Sequence, residues 1–165
     1  MKTSHFICLL SAIVLSWTSA AHAARPVKPC TGKNETLECL KENFKDVYED
    51  QYFKFLMIIN KAEVDALKCD SSEKTAAYLD IASKIGKNRE VEQGFKDFVE
   101  SKFLKEKTAC LLDALLLNDD NVKDIILGNY LKNPGYISRK EVDSILSQYV
   151  EQEKYKELLK RYSSK

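Results

Sequence analysis

From residue 37 onward the apolar positions recur at helical spacing. Leu37, Leu40, Phe44, Val47 and Tyr48 form one stripe, and Tyr52, Phe55, Ile58, Ile59, Ala62 and Ala66 continue it with no proline or glycine between. Intervals of three and four residues bring such side chains to one helix face. The run reads as one long helix, or as two joined by a bend near Asp50. Asp70-Ser71-Ser72-Glu73 has the form of a cap, with Asp70 accepting from free backbone amides and Glu73 reaching back. The next helix carries Tyr78, Ile81, Ala82 and Ile85 on one face. It is expected to stop at Gly86, because glycine tolerates a left-handed turn. Asn88 is placed to cap the helix after it, whose stripe is Val91, Phe95, Phe98, Phe103 and Leu104.

Residues 108–117 read TACLLDALLL. A helix apolar nearly all round belongs in the middle of a domain. Asn118-Asp119-Asp120-Asn121 offers several caps, and Val122, Ile125, Ile126 and Tyr130 follow at helical spacing. Asn133-Pro134-Gly135 is a turn signal, proline presetting one dihedral and glycine supplying the next. Ser138-Arg139-Lys140-Glu141 is a second capping box. Val142, Ile145, Leu146, Tyr149 and Val150 come next, then Tyr155, Leu158, Leu159 and Tyr162. No alternating strand pattern of useful length occurs. The expected fold is all-α: a compact single-domain bundle of six to eight short-to-medium helices over residues 35–165. Residues 24–34, with Pro26, Pro29 and Gly32, are expected to be irregular.

The first 23 residues follow a different pattern. Lys2 precedes an apolar run at residues 6–17, and small residues then lead to Ala21-His22-Ala23. This is the layout of a cleaved export signal with the cut after Ala23. The apolar run is short for a hydrocarbon core of about 30 Å, which argues against an anchor. Nothing later approaches about 20 uninterrupted apolar residues, so no stable membrane insertion is expected. The Ala-x-Ala ending points to a bacterial signal and the periplasm. Secretion from a eukaryotic cell is the alternative, and Asn34-Glu35-Thr36 would then be a glycosylation acceptor.

Removing residues 1–23 from the 165 takes away Lys2 and no acid, leaving 25 basic and 25 acidic residues. Nucleic-acid affinity rests on a basic surplus, so a nucleic-acid partner is not expected. Residues 154–165 are locally basic, as suits the negative pole of a helix end. Four cysteines remain, Cys30, Cys39, Cys69 and Cys110. In an exported chain an even number reads as disulfides, here two. Of three possible pairings, spacing favours Cys30–Cys39 around a turn and Cys69–Cys110 between two helix boundaries.

Both histidines, His5 and His22, fall inside the predicted signal. A mature chain without histidine has no Ser-His or Cys-His pair and no histidine-held zinc or haem. The five glycines are scattered and form no phosphate loop. No cofactor is expected. Carboxylates are the remaining catalytic candidates: Glu92, Asp97 and Glu100 share one helix, and Asp113 interrupts an apolar one. The simpler reading of Asp113 is a solvent-facing position or a pair with a lysine. Phe53 falls off the main stripe and is a candidate for exposure. Tyr130, Tyr136, Tyr149, Tyr155 and Tyr162 crowd the last third, where they serve either the core or an interface with a protein partner.

The functional expectation is an exported, non-enzymatic binding protein, of inhibitor or immunity type, acting on a protein partner. A helical carrier of a small apolar ligand is the alternative, and a carboxylate-only cell-wall hydrolase a third.

Overall fold

The structure, a computed structural model, describes residues 29–86 and 88–163. The predicted signal of residues 1–23 lies outside the described residues, and so do residues 24–28 of the segment expected to be irregular. A 3-10 turn at Gly32–Asn34 precedes α1 (Leu37–Glu42), α2 (Phe44–Asp50) and α3 (Tyr52–Lys68). Next come α4 (Ser72–Leu79), α5 (Ala82–Ile85) and α6 (Arg89–Asp97), which runs on as a π-helical segment, Phe98–Leu104. After α7 (Thr108–Leu117), α8 (Asp120–Lys123) also continues as a π-helical segment, Asp124–Tyr130. The last two helices are α9 (Arg139–Ser147) and α10 (Glu153–Ser163). No strand occurs among the described residues, and disulfides join Cys30 to Cys39 and Cys69 to Cys110. The chain is thus an all-α fold stapled in the pairing that spacing favours. Such bonds persist in oxidising compartments, which points outside the cytoplasm.

The first long stripe is broken twice. Near Asp50 the break falls at Gln51, whose side chain donates to the Pro29 carbonyl at 3.0 Å. A second break, at Asn43, has no proline or glycine to announce it. Its backbone and side-chain amides both donate to the Cys39 carbonyl, so the side chain competes with the helix ladder. These breaks fold the aromatic stripe onto itself. Phe44 and Phe55 are eleven residues apart, about 16 Å along a straight helix, yet their rings meet edge-on at 5.4 Å. Tyr48 packs on Phe55 at 5.2 Å, which completes an aromatic knot between α2 and α3.

Helix ends follow local chemistry, with some reassignments. Ser71, not Asp70, caps α4: its hydroxyl oxygen accepts from the Lys74 amide, while the hydroxyl donates to Glu73. Asp119 caps α8 and Ser138 caps α9. Asn88 starts α6 without a side-chain capping bond. Gly86 takes φ +60° as the stop signal requires. Gly135 does not take a left-handed φ; its amide serves another purpose.

That purpose is Glu100, which lies on the first π-helical segment and is fully buried. One of its carboxylate oxygens accepts from the amides of Gly135 and Tyr136 at 2.9 and 2.8 Å. The other makes no hydrogen bond, and the nearest cation is Lys96 Nζ at 3.8 Å. Lys96 in turn donates to the Asn133 carbonyl at 2.6 Å. One Glu-Lys pair, a single turn apart on the same helix, therefore holds the 133–136 turn at both ends.

The core is built around α4 and α7, which pack on each other more extensively than any other pair. Tyr78 and Leu79 of α4 and Leu111, Leu112 and Leu115 of α7 are all without solvent exposure. The all-round apolar α7 is buried in its first part, as its sequence implies, while Leu116 and Leu117 emerge at its end. Asp113 lies on the α10 side of α7. It accepts from Lys154 Nζ at 2.9 Å and from the Tyr155 hydroxyl at 2.7 Å. Burial alone would raise its carboxyl pKa, but those two bonds outweigh it and hold the group below its ordinary value. A depressed folded pKa stabilises at pH above the unfolded value of about 3.9, and the gain is lost as pH falls through the folded value. With the side chain 37% exposed, Asp113→Asn is expected to cost no more than about 1 kcal/mol at pH 7. Thermal midpoints taken from pH 7 down to 2 should show the gap between the two proteins closing below about pH 4.

Candidate functional site

A groove of about 430 Å³ opens between α3 and α6. It exists because each helix packs elsewhere: α3 against α1, α2 and α4, and α6 against α5 and its own π-helical continuation. Phe55, Ile59, Ile81, Phe95 and Phe98 form its floor. The size and the apolar floor suit a small ligand.

Its polar rim is acidic. On α3, Glu63 accepts from the buried Tyr78 hydroxyl at 3.0 Å. Burial raises the Glu63 carboxyl pKa, and the Tyr78 bond only partly opposes this. The Tyr78 phenol is pushed well above its ordinary value, first by burial and then by the nearby Glu63 charge. At the start of α3 the Tyr52 hydroxyl donates to Glu90 of α6 at 2.8 Å, bridging the two helices. Asp97, the third acid, accepts from the Ser101 hydroxyl at 2.7 Å. Lys102 also borders the groove. Within the groove wall, Gly94 of α6 has open space where a side chain would project.

A second feature adjoins the groove on the same helix. Phe53 is 84% exposed, Met57 63% and Val64 59%. At 100° per residue these three fall within about 40° of one another, so they make one apolar stripe along the outside of α3. Leu56, about 60° round the helix from Phe53, belongs to the groove, and so does Asn60, which lies about 20° from Phe53 and stands between Met57 and Val64 along the stripe. Large apolar side chains aligned in the open commonly mark a binding surface.

The chain matches no protein-family model, no curated protein and no solved structure. The arrangement of its own residues is therefore the basis for any functional reading.

The five tyrosines of the last third do not gather on one surface. Tyr130, Tyr155 and Tyr162 are buried, Tyr149 is half-buried against Tyr155, and Tyr136 is exposed. Burial raises the Tyr130 and Tyr162 phenols far above their ordinary value, the Tyr162 hydroxyl also donating to Asp143. Three of the five therefore fill the core. Helical spacing alone could not distinguish the two roles, since a tyrosine contributes to either. The candidate acids also separate. Glu100 is locked under the 133–136 turn, Asp113 is paired with Lys154, and only Asp97 reaches the groove. Asp119 and Asp120 are engaged as a cap and as a partner of Arg161. Among the described residues no group of three metal-ligating side chains comes together, and no helix is long and apolar enough to cross a membrane.

Sequence reasoning singled out Phe53 but not Met57 or Val64, although their offsets of four and eleven residues already place them on its face. Glu63 and Glu90 carried no signal of their own, because the groove is made by helices distant in sequence.

Proposed function

We propose that this chain is an exported, non-enzymatic binding protein that docks on a protein partner through the outer face of α3, in the manner of an inhibitor or immunity protein. The observation that carries the reading is the aligned exposure of Phe53, Met57 and Val64 on a helix otherwise anchored in the core. Such a stripe costs solubility, and a partner's apolar surface would cover it. The disulfides fit an oxidising compartment, and the export pattern at residues 1–23 favours the periplasm over the extracellular medium.

The test is a quantitative capture from an envelope extract with the oxidised protein and with the double variant Phe53→Asp, Met57→Asp. The expected outcome is a stoichiometric partner whose affinity falls at least about thirtyfold in the variant, as for loss of a central anchor. Both positions are largely solvent-exposed, so the variant's thermal midpoint should match the parent's. Equal binding by both proteins would remove α3 from the interface.

The groove supports a second reading, a carrier of a small ligand. Its floor is apolar and its volume of about 430 Å³ is in the range of small-molecule sites. Organic extraction of the purified protein followed by mass spectrometry checks it. A recovered small molecule in near-stoichiometric amount is the expected result.

A further inference from the structure

We propose that the groove between α3 and α6 binds a small organic cation, an ammonium or amidinium group carried on an aromatic or alkyl body. This deepens the carrier reading of the groove and does not depend on the partner reading of the α3 stripe.

The inference rests on how the groove's acids are held. Elsewhere in the fold, carboxylates commonly meet cations: Asp80 pairs with Lys41, Glu35 with Lys54, Glu141 with Lys105 and Asp113 with Lys154. Glu63, Glu90 and Asp97 line the groove together without such a partner. Each accepts from a hydroxyl, of Tyr78, Tyr52 and Ser101 in turn, and none has an ion pair among the described residues. A hydroxyl orients a carboxylate and leaves its charge uncompensated. Among the described residues Lys102 is the one cation on the lining, against three acids. Glu63 is also half-buried against the apolar floor, where an uncompensated charge is costly. A ligand that brings a positive charge to this rim and apolar surface to Phe55, Ile59 and Phe98 would satisfy both demands. An anionic ligand would face repulsion, and a neutral one would leave the acids as they are. Glu63 lies eleven residues along α3 from Tyr52, the residue that holds Glu90, a rise of about 16 Å along the helix axis. A cation at either end therefore directs its body along the floor.

Three probes with one body separate the possibilities: 4-phenylbutylammonium, 4-phenylbutanol and 4-phenylbutyrate, each titrated into the oxidised protein and followed by amide chemical shifts. The expected result is that the ammonium shifts amides of α3 and α6 around Asn60, Val91 and Gly94. It should bind at least about tenfold more tightly than the alcohol, with the carboxylate weakest. Gly94→Leu projects a side chain into open space in the groove wall, and replacing a helical glycine favours the fold. It should abolish the shifts while the thermal midpoint holds or rises. The triple variant Glu63→Gln, Glu90→Gln, Asp97→Asn should bring the ammonium down to the affinity of the alcohol. Equal affinity for ammonium and alcohol overturns the proposal while leaving a neutral carrier standing. Absence of shifts with all three probes, or ammonium shifts that survive Gly94→Leu, overturns it as well. Phe53→Asp, Met57→Asp should retain ammonium binding, so loss of a protein partner and loss of the cation site are scored separately.

Discussion

Glu100→Ala is expected to lower the unfolding free energy by about 3–5 kcal/mol, the cost of taking from two backbone amides the buried carboxylate that they share. Two amides, of Gly135 and Tyr136, would lose an anionic acceptor inside the fold, and bonds to charged groups contribute about 1.5–3 kcal/mol each. Lys96 would lose its nearest carboxylate while still reaching the Asn133 carbonyl. Glu100→Gln separates the parts of this effect. It keeps an oxygen for the two amides and discards the charge, so its cost should be clearly smaller than that of alanine. Urea titrations of the three proteins give the comparison. A loss under about 1 kcal/mol for alanine would mean that the 133–136 turn is held by other contacts.

Removing the Cys69–Cys110 bond is expected to cost about 4 kcal/mol, since it closes the longer of the two loops, with a sequence separation of 41. The shorter Cys30–Cys39 loop, separation 9, should be worth about 3 kcal/mol on the same basis. Cys69 adds a backbone contribution: it ends α3 at φ 54°, in the left-handed region. Glycine reaches that region without a side-chain penalty of about 1–2 kcal/mol. Cys69→Gly, Cys110→Ser should therefore be more stable than Cys69→Ser, Cys110→Ser, although both lack the cross-link. Denaturant midpoints of the two variants and of the oxidised parent provide the test. Identical midpoints for the two variants would show that the left-handed turn relaxes once the bond is gone.

Much of the architecture was readable in the chain because it depends on local periodicity. The stripe Val142, Ile145, Leu146 and the box Ser138–Glu141 define α9 without reference to anything else, and α9 is found there. The burial of α7 follows from Leu111, Leu112 and Leu115, whose neighbours leave few polar positions. The break at Asn43 was not readable, because an asparagine in a helical stripe breaks it only when its amide finds the Cys39 carbonyl. The π-helical turns of Phe98–Leu104 and Asp124–Tyr130 have no spacing signature either, as the apolar stripe passes through them. Glu100 illustrates the same limit for chemistry. In sequence it is one of three acids on a helix, and only the approach of a turn 35 residues later makes it a buried clamp. The groove is legible only in three dimensions, since Glu63 and Glu90 reach it from separate helices.

The order of the half-cystines carries a consequence for how the molecule matures. Cys30 bonds Cys39 and Cys69 bonds Cys110, so of these four the first pairs with the second and the third with the fourth, and the two loops neither nest nor cross. A polypeptide threaded amino end first into an oxidant would present Cys30 and Cys39 together before Cys69 arrives. Oxidation in order of emergence then gives the native connectivity directly. Along that route, assembly would call for a donor of disulfides and not for reshuffling of them.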